Sequence, residues 1–145
     1  MTASLLSVAD RLDLAELPAK FCHFSDYGDY AALADLFTPD VVTELVGIGV
    51  YDGIDALVQH ARETANWSSG YTWHVVANLW IEPTVSGAAV HYYMLGMFNT
   101  AAGERTGVHH TSGRFVDQAI RTTEGWRINR RVFQMDSPKS PPDLR

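Results

Sequence analysis

The sequence predicts an α+β domain in which three N-terminal helices pack on a strongly curved, meandering antiparallel sheet whose concave face holds a pocket. Apolar residues recur at helical spacing up to about Asn66, and beyond it the character changes to four long β-type segments separated by turn signals. Helices segregated from a meandering sheet are the signature of this class. Size agrees: 145 residues, 46% of them hydrophobic, can bury one core without metal or disulfide staples.

The first helix is marked from Asp13 by Leu14, Leu17, Phe21 and Phe24. Pro18 removes one backbone hydrogen bond and is expected to kink or restart it, and Asp26 stands at its C-terminal end. Tyr30, Leu33, Leu36 and Phe37 read as a second short helix, capped by Asp29 and stopped before Pro39. Val41-Val42-Thr43-Glu44-Leu45-Val46 is β-rich and runs into Gly47, Gly49 and the turn Asp52-Gly53, which fits a hairpin or a bent strand. Ile54, Leu57, Val58 and Ala61 mark a third, amphipathic helix. The long strands follow at about Tyr71 to Ile81, Ala88 to Asn99, Gly107 to Arg121 and Trp126 to Met135. Turns are expected at Pro83 to Gly87, Ala101 to Gly103 and Thr122 to Gly125. One domain over residues 1–136 results, with residues 137–145 as a mobile, proline-rich tail.

A net charge of -6 argues against nucleic acid, because the basic residues gather only at Arg127, Arg130 and Arg131. No stretch approaches the roughly 20 apolar residues of a membrane helix. A single cysteine, Cys22, excludes an internal disulfide, and the N-terminus lacks the basic residues and apolar run of a signal peptide, so a cytoplasmic location is expected. The partner left is a small molecule.

The chemistry points to Asp26 and His74. If folding brings them together, the carboxylate can orient and charge-stabilise an imidazole whose ordinary pKa of roughly 6.5 suits proton transfer at neutral pH. Asp26 alone could simply cap the turn before the second helix, and a histidine between Trp73 and Val75 is commonly a satisfied interior residue. Arg131 could donate to developing negative charge or merely pair with Asp117 or Glu124 across strands, and Arg130, facing the opposite way, competes with it. Tyr27, Tyr92 and Asn99 are reserve donors. His109 and His110, adjacent in a strand, point to opposite faces and cannot share one ion, so no metal is expected. Phosphate-loop, dinucleotide-glycine and nucleophile-elbow motifs are absent, and no cofactor is expected. Cys22 reads as core, and Lys20 as a solvated amine. About half of the strand aromatics should face away from the pocket, and that apolar outer face predicts a homodimer or homotrimer.

Several runs together resemble the SnoaL-like branch of the nuclear-transport-factor-like cone fold, over roughly residues 8 to 135. They are Phe24-Ser25-Asp26-Tyr27-Gly28-Asp29-Tyr30, Leu36-Phe37-Thr38-Pro39-Asp40, Gly53-Ile54-Asp55-Ala56-Leu57, Thr72-Trp73-His74, Gly113-Arg114-Phe115-Val116-Asp117 and Gly125-Trp126-Arg127-Ile128. Within that branch the chain is similar to scytalone dehydratase, bile acid dehydratase and hexachlorocyclohexane dehydrochlorinase. These pair an Asp at the end of the first helix with a His on the strand after the third, positions that Asp26 and His74 match. In the latter two an Arg on the last strand faces the pocket, as Arg131 would here. Two positions depart from the pattern: Phe21 or Ser25 stands where a Tyr or Lys handles the leaving group, and Asn99 where the scytalone enzyme has a second His.

The resemblance implies a cone-shaped barrel whose strongly curved, mixed but mainly antiparallel sheet encloses a pocket, and a cofactor-independent lyase, of dehydratase or dehydrohalogenase type, acting on a hydrophobic cyclic small molecule. Asp26, His74 and Arg131 are its expected catalytic residues, and Phe21, Tyr27, Tyr92, Asn99 and Phe115 its expected substrate-binding residues. The same dyad would serve an isomerase or a polyketide-cyclase-like enzyme, and the fold also hosts non-catalytic binding modules and oxygenase small subunits.

Overall fold

The structure, a computed structural model, describes residues 2–3, 5–67, 72–98 and 108–136. Ser7 opens helix α1 (Val8–Tyr27) with a capping box: its Oγ accepts from the Asp10 amide at 3.1 Å, while Asp10 accepts from the Ser7 amide at 2.9 Å. The helix runs through Pro18 without restarting, contrary to one of the two expected outcomes. Only one backbone bond is forfeited there, and the proline ring is buried with Leu14, Leu17 and Cys22 in the face turned to the core. Gly28, at φ 72°, ends the helix in the left-handed conformation that glycine adopts without a Cβ clash, and its amide donates to Phe24 and Ser25.

Asp29 caps α2 (Tyr30–Ala34) through the Ala32 amide at 3.1 Å. This helix is shorter than its apolar spacing predicts, because Phe37 already belongs to strand β1 (Phe37–Leu45). The cause is tertiary: the Ile128 amide donates to the Leu36 carbonyl at 2.9 Å, drawing the chain alongside the last strand. Pro39 lies inside β1 where the parallel register is interrupted between Phe37 and Val42, so its missing amide breaks no ladder bond. The expected hairpin follows, with β2 (Gly49–Asp52) antiparallel to β1, and then α3 (Ile54–Trp67).

The long strands are β3 (Thr72–Pro83), β4 (Ala88–Phe98), β5 (Val108–Thr122) and β6 (Gly125–Met135), each within two residues of its expected bounds. Their order in the sheet is β2-β1-β6-β5-β4-β3, with β1 and β6 parallel and the other neighbours antiparallel. The sheet is therefore mixed, and it remains open, with β2 and β3 as its edges. The helices cover one face, α1 lying against β3, and Leu14, Leu33, Val41, Leu57, Val90 and Ile128 form the heart of the core.

Two bulges decide which side chains enter that core. In β3 the register shifts between Ala77 and Trp80 around Asn78, whose φ of 53° marks the extra residue. His74 and Val76 therefore share the inner face with Leu79 and Ile81, whereas Trp73, Val75 and Trp80 are exposed. In β6 Asn129 is the extra residue, since Ile128 pairs with Ala119 and Arg130 with Gln118. Strict alternation from Trp126 and Ile128 would turn Arg130 inward, and the bulge turns Arg131 inward instead.

Gly113 makes room on β5 for the Phe133 ring, which stacks on Phe115 at 4.3 Å, as Phe115 does on Tyr92 at 5.1 Å. A Cβ there would overlap the Phe133 ring and come within 2.7 Å of the Gln134 carbonyl oxygen, which is backbone and cannot swing aside. Gly113→Ala is expected to destabilise the protein by about 1–3 kcal/mol, as overpacking does. A urea midpoint equal to that of the wild type would contradict this account of the stack.

No helix among the described residues is long and apolar enough to cross a membrane.

Candidate functional site

Asp26 occupies the last turn of α1, and the start of β3 crosses it. The carboxylate takes two bonds from one residue: the His74 amide donates to Oδ2 at 3.0 Å, and the ring Nδ1 lies 2.6 Å from Oδ1. Gripped at backbone and ring together, the imidazole is fixed in position and rotation. With Nδ1–H committed to Asp26, neutral His74 carries its lone pair on Nε2, on the far side of the ring. Both side chains are only 17% exposed, so the interaction is screened less than a surface pair would be. The arrangement suits a general base at Nε2 whose positive charge, once protonated, is balanced by Asp26.

A second polar group lies deeper on the same face. Arg131, 1% exposed, donates through Nε to Asp117 Oδ1 at 2.7 Å and through Nη2 to Asp117 Oδ2 at 2.8 Å. Nη2 also donates to the Tyr92 hydroxyl at 3.0 Å, which itself donates to Asp117 at 2.9 Å. Burial pulls the guanidinium pKa down, but Asp117 and Tyr92 outweigh it and the net shift is upward, so Arg131 is charged at any working pH. Burial raises the Tyr92 hydroxyl well above its ordinary value and keeps it a neutral donor. The guanidinium lies over the Phe21 ring at 3.9 Å, with the Phe37 ring at 5.0 Å and the Phe115 ring at 5.1 Å. Nη1 is buried without a hydrogen-bond partner among the described residues.

Cys22, one helical turn before Asp26, stands within electrostatic reach of both groups. Burial, reinforced by Asp26 and opposed by Arg131, pushes its thiol up to about 12. A thiol held so far from ionisation is no nucleophile at neutral pH, in keeping with its reading as core.

The expected site residues divide accordingly. Asp26 meets His74 although 48 residues separate them in the chain. Arg131 faces inward and is paired with Asp117, whereas Arg130 turns out to Glu44 at 2.9 Å. Phe21, Tyr92 and Phe115 surround the guanidinium, but the Tyr92 hydroxyl is engaged by Arg131 and Asp117. Tyr27 does not belong to the site: it is 83% exposed and stacks on His23, because the next position along the helix from Asp26 points about 100° away from it. Asn99 lies outside the described residues. Lys20 pairs with Glu16 at 2.7 Å on the exposed side of α1.

Sequence reasoning gave Asp117 only the role of a surface-type cross-strand partner and passed over Gly96 and Thr111, which lie in one row with His74 across β3, β4 and β5. A glycine inside a strand was the available signal for that row, since it marks a close approach.

Comparison with known proteins agrees with this architecture. The family model for the SnoaL-like domain matches residues 6–132. The uncharacterised protein Rv2910c of Mycobacterium tuberculosis is 26% identical over 150 residues, covering 89% of each chain. Among solved structures, a Nostoc punctiforme protein of unknown function with a cystatin-like fold superposes with a TM-score of 0.81 at 20% identity, covering 96% of this chain and 99% of the other. An NTF2-like protein from Novosphingobium aromaticivorans gives 0.80 at 22% identity, covering 94% and 89%. The chain shares its fold with these structures and, matched by the family model along almost all of its helices and strands, it belongs to the SnoaL-like family.

Proposed function

We propose that the protein is a cofactor-independent lyase acting on a hydrophobic cyclic small molecule. The observation that carries this reading is the pair of hydrogen bonds between His74 and the Asp26 carboxylate, which leaves Nε2 as an oriented base on the inner face of the sheet. Nε2 takes a proton from the carbon next to an activating group, and the C–H electron pair becomes the new C=C bond. The C–X pair leaves with a halide, or with a hydroxyl that departs as water after receiving a proton from the His74 imidazolium. Asp26 balances the imidazolium charge, worth about 10²- to 10⁴-fold together with the base. Arg131 stabilises negative charge on the activating group, Nη1 being its one nitrogen engaged by neither Asp117 nor Tyr92. Phe21 and Phe115 supply the apolar lining that a ring requires. The exposed Trp73, Val75, Trp80, Tyr93 and Leu95 on the opposite face support assembly as a homodimer or homotrimer.

The test is product analysis with cyclic β-hydroxy ketones and their halogenated counterparts, using wild type and His74→Ala. Alkene formation that is lost in a folded His74→Ala protein is the expected result. Rearranged or ring-closed products without loss of X would replace the lyase with an isomerase or cyclase. A folded His74→Ala variant that still turns over would remove His74 from the chemistry.

A further inference from the structure

His74 on β3 pairs with Gly96 on β4, which pairs in turn with Thr111 on β5. The three form one row across the sheet, and the middle position has no side chain. The site a Cβ would occupy at Gly96 is 2.8 Å from Thr111 Cγ2 and 3.8 Å from His74 Cδ2. Thr111 thus leans across the glycine toward the histidine. The ring edge it approaches is the one that carries Nε2, because Cδ2 is bonded to Nε2 while Nδ1 is turned to Asp26. Thr111 Oγ1 is buried and has no hydrogen-bond partner among the described residues.

An unsatisfied buried hydroxyl is destabilising, and native proteins seldom keep one without use for it. A turn of about 120° about χ1 brings the threonine hydroxyl to the place the methyl holds and moves the methyl to that of the β-hydrogen. Oγ1 forfeits no hydrogen bond to the described residues when it turns to the position over Gly96 that the methyl now holds. There it would face whatever lies at the Nε2 edge of His74. A hydroxyl can both donate and accept, so its natural partner is an oxygen function on the ring, either a hydroxyl or a carbonyl.

We propose that Thr111 is a substrate-binding residue, whose hydroxyl turns over Gly96 and bonds a ring-borne oxygen, holding it beside His74. Gly96 is the other half of the device: any side chain there would fill the space across which Thr111 and the ligand meet. The assignment rests on the reading of His74 as the base.

The test compares two ligands of similar shape, p-cresol and p-xylene, which differ by one hydroxyl. Their binding is followed by NMR titration of wild type, Thr111→Val and Thr111→Ser. Wild type should bind p-cresol about tenfold more tightly than p-xylene, a factor in the range of one neutral hydrogen bond. Thr111→Val should bring the ratio close to one, and Thr111→Ser should keep it. The melting temperature of Thr111→Val should equal or exceed that of wild type, since the hydroxyl bonds nothing among the described residues. A preference kept by Thr111→Val, or absent from wild type, overturns the proposal. If that happens while His74→Ala still lacks turnover, the base assignment stands without Thr111. Binding of neither ring would remove the apolar-ring reading along with it.

Discussion

Asp26→Asn is expected to lower kcat/KM by about 10²- to 10⁴-fold on any substrate that wild type turns over, while the fold is retained. An asparagine can still accept the His74 amide through its one oxygen. Its other terminal atom is then an NH2, which can only donate to Nδ1. Nδ1 becomes the acceptor and the ring proton moves to Nε2, so the nitrogen that should take the substrate proton already holds one. The backbone contact survives, so the melting temperature should move by a few degrees at most. Steady-state kinetics give the first number, and ¹⁵N NMR of the ring nitrogens reads the tautomer directly, with the proton on Nδ1 in wild type and on Nε2 in the variant. Activity within a few-fold of wild type would mean that the carboxylate serves the backbone alone.

Asp117→Ala should have the largest effect on stability, about 3–5 kcal/mol, because it strands the Arg131 charge where water does not reach. Domains are stable by only about 5–15 kcal/mol, so such a loss lowers the melting temperature by on the order of 10 °C. The surface pair Arg130–Glu44 is a natural control: both side chains are more than a third exposed, and its removal should shift stability by about 1 kcal/mol or less. Replacing both buried partners, as in Asp117→Leu with Arg131→Met, should recover much of the loss, since no charge is then left uncompensated. Urea denaturation of the four proteins decides the matter. A cost for Asp117→Ala no greater than for Arg130→Ala would show that Arg131 finds other compensation inside the fold.

Most of the architecture was legible because its signals are local. Turn residues and strand alternation bracketed the four long strands closely, and Ser, Asp and Gly at helix ends did what caps do. The departures have non-local causes. Phe37 left the second helix because an amide 91 positions later binds its neighbour Leu36, a partner that no window of sequence contains. The inward turn of Arg131 rather than Arg130 depends on one extra residue, Asn129, in a strand whose two arginines are interchangeable to any pattern of alternation. Tyr27 was expected as a reserve donor in the site, yet helix geometry sends it to solvent. The meeting of Asp26 with His74 was foreseen from resemblance, since composition and spacing alone do not join residues so far apart. That Arg131 would pair with Asp117 was foreseen only as the bland alternative, beside Glu124, and its bond to Tyr92 was not foreseen.

The grip of Asp26 on the His74 amide also bears on how the site comes into being. β3 is an edge strand, and the amide it offers to Asp26 would otherwise face water. Helix α1 therefore acts as the strand's missing neighbour at that one position. Contacts that close so long a stretch of chain come late in folding, because their loop entropy must be met first. A chain still leaving the ribosome, or one whose first helix has come loose, holds a histidine without its carboxylate, so the ring is oriented in the same step that covers the strand's edge at that position.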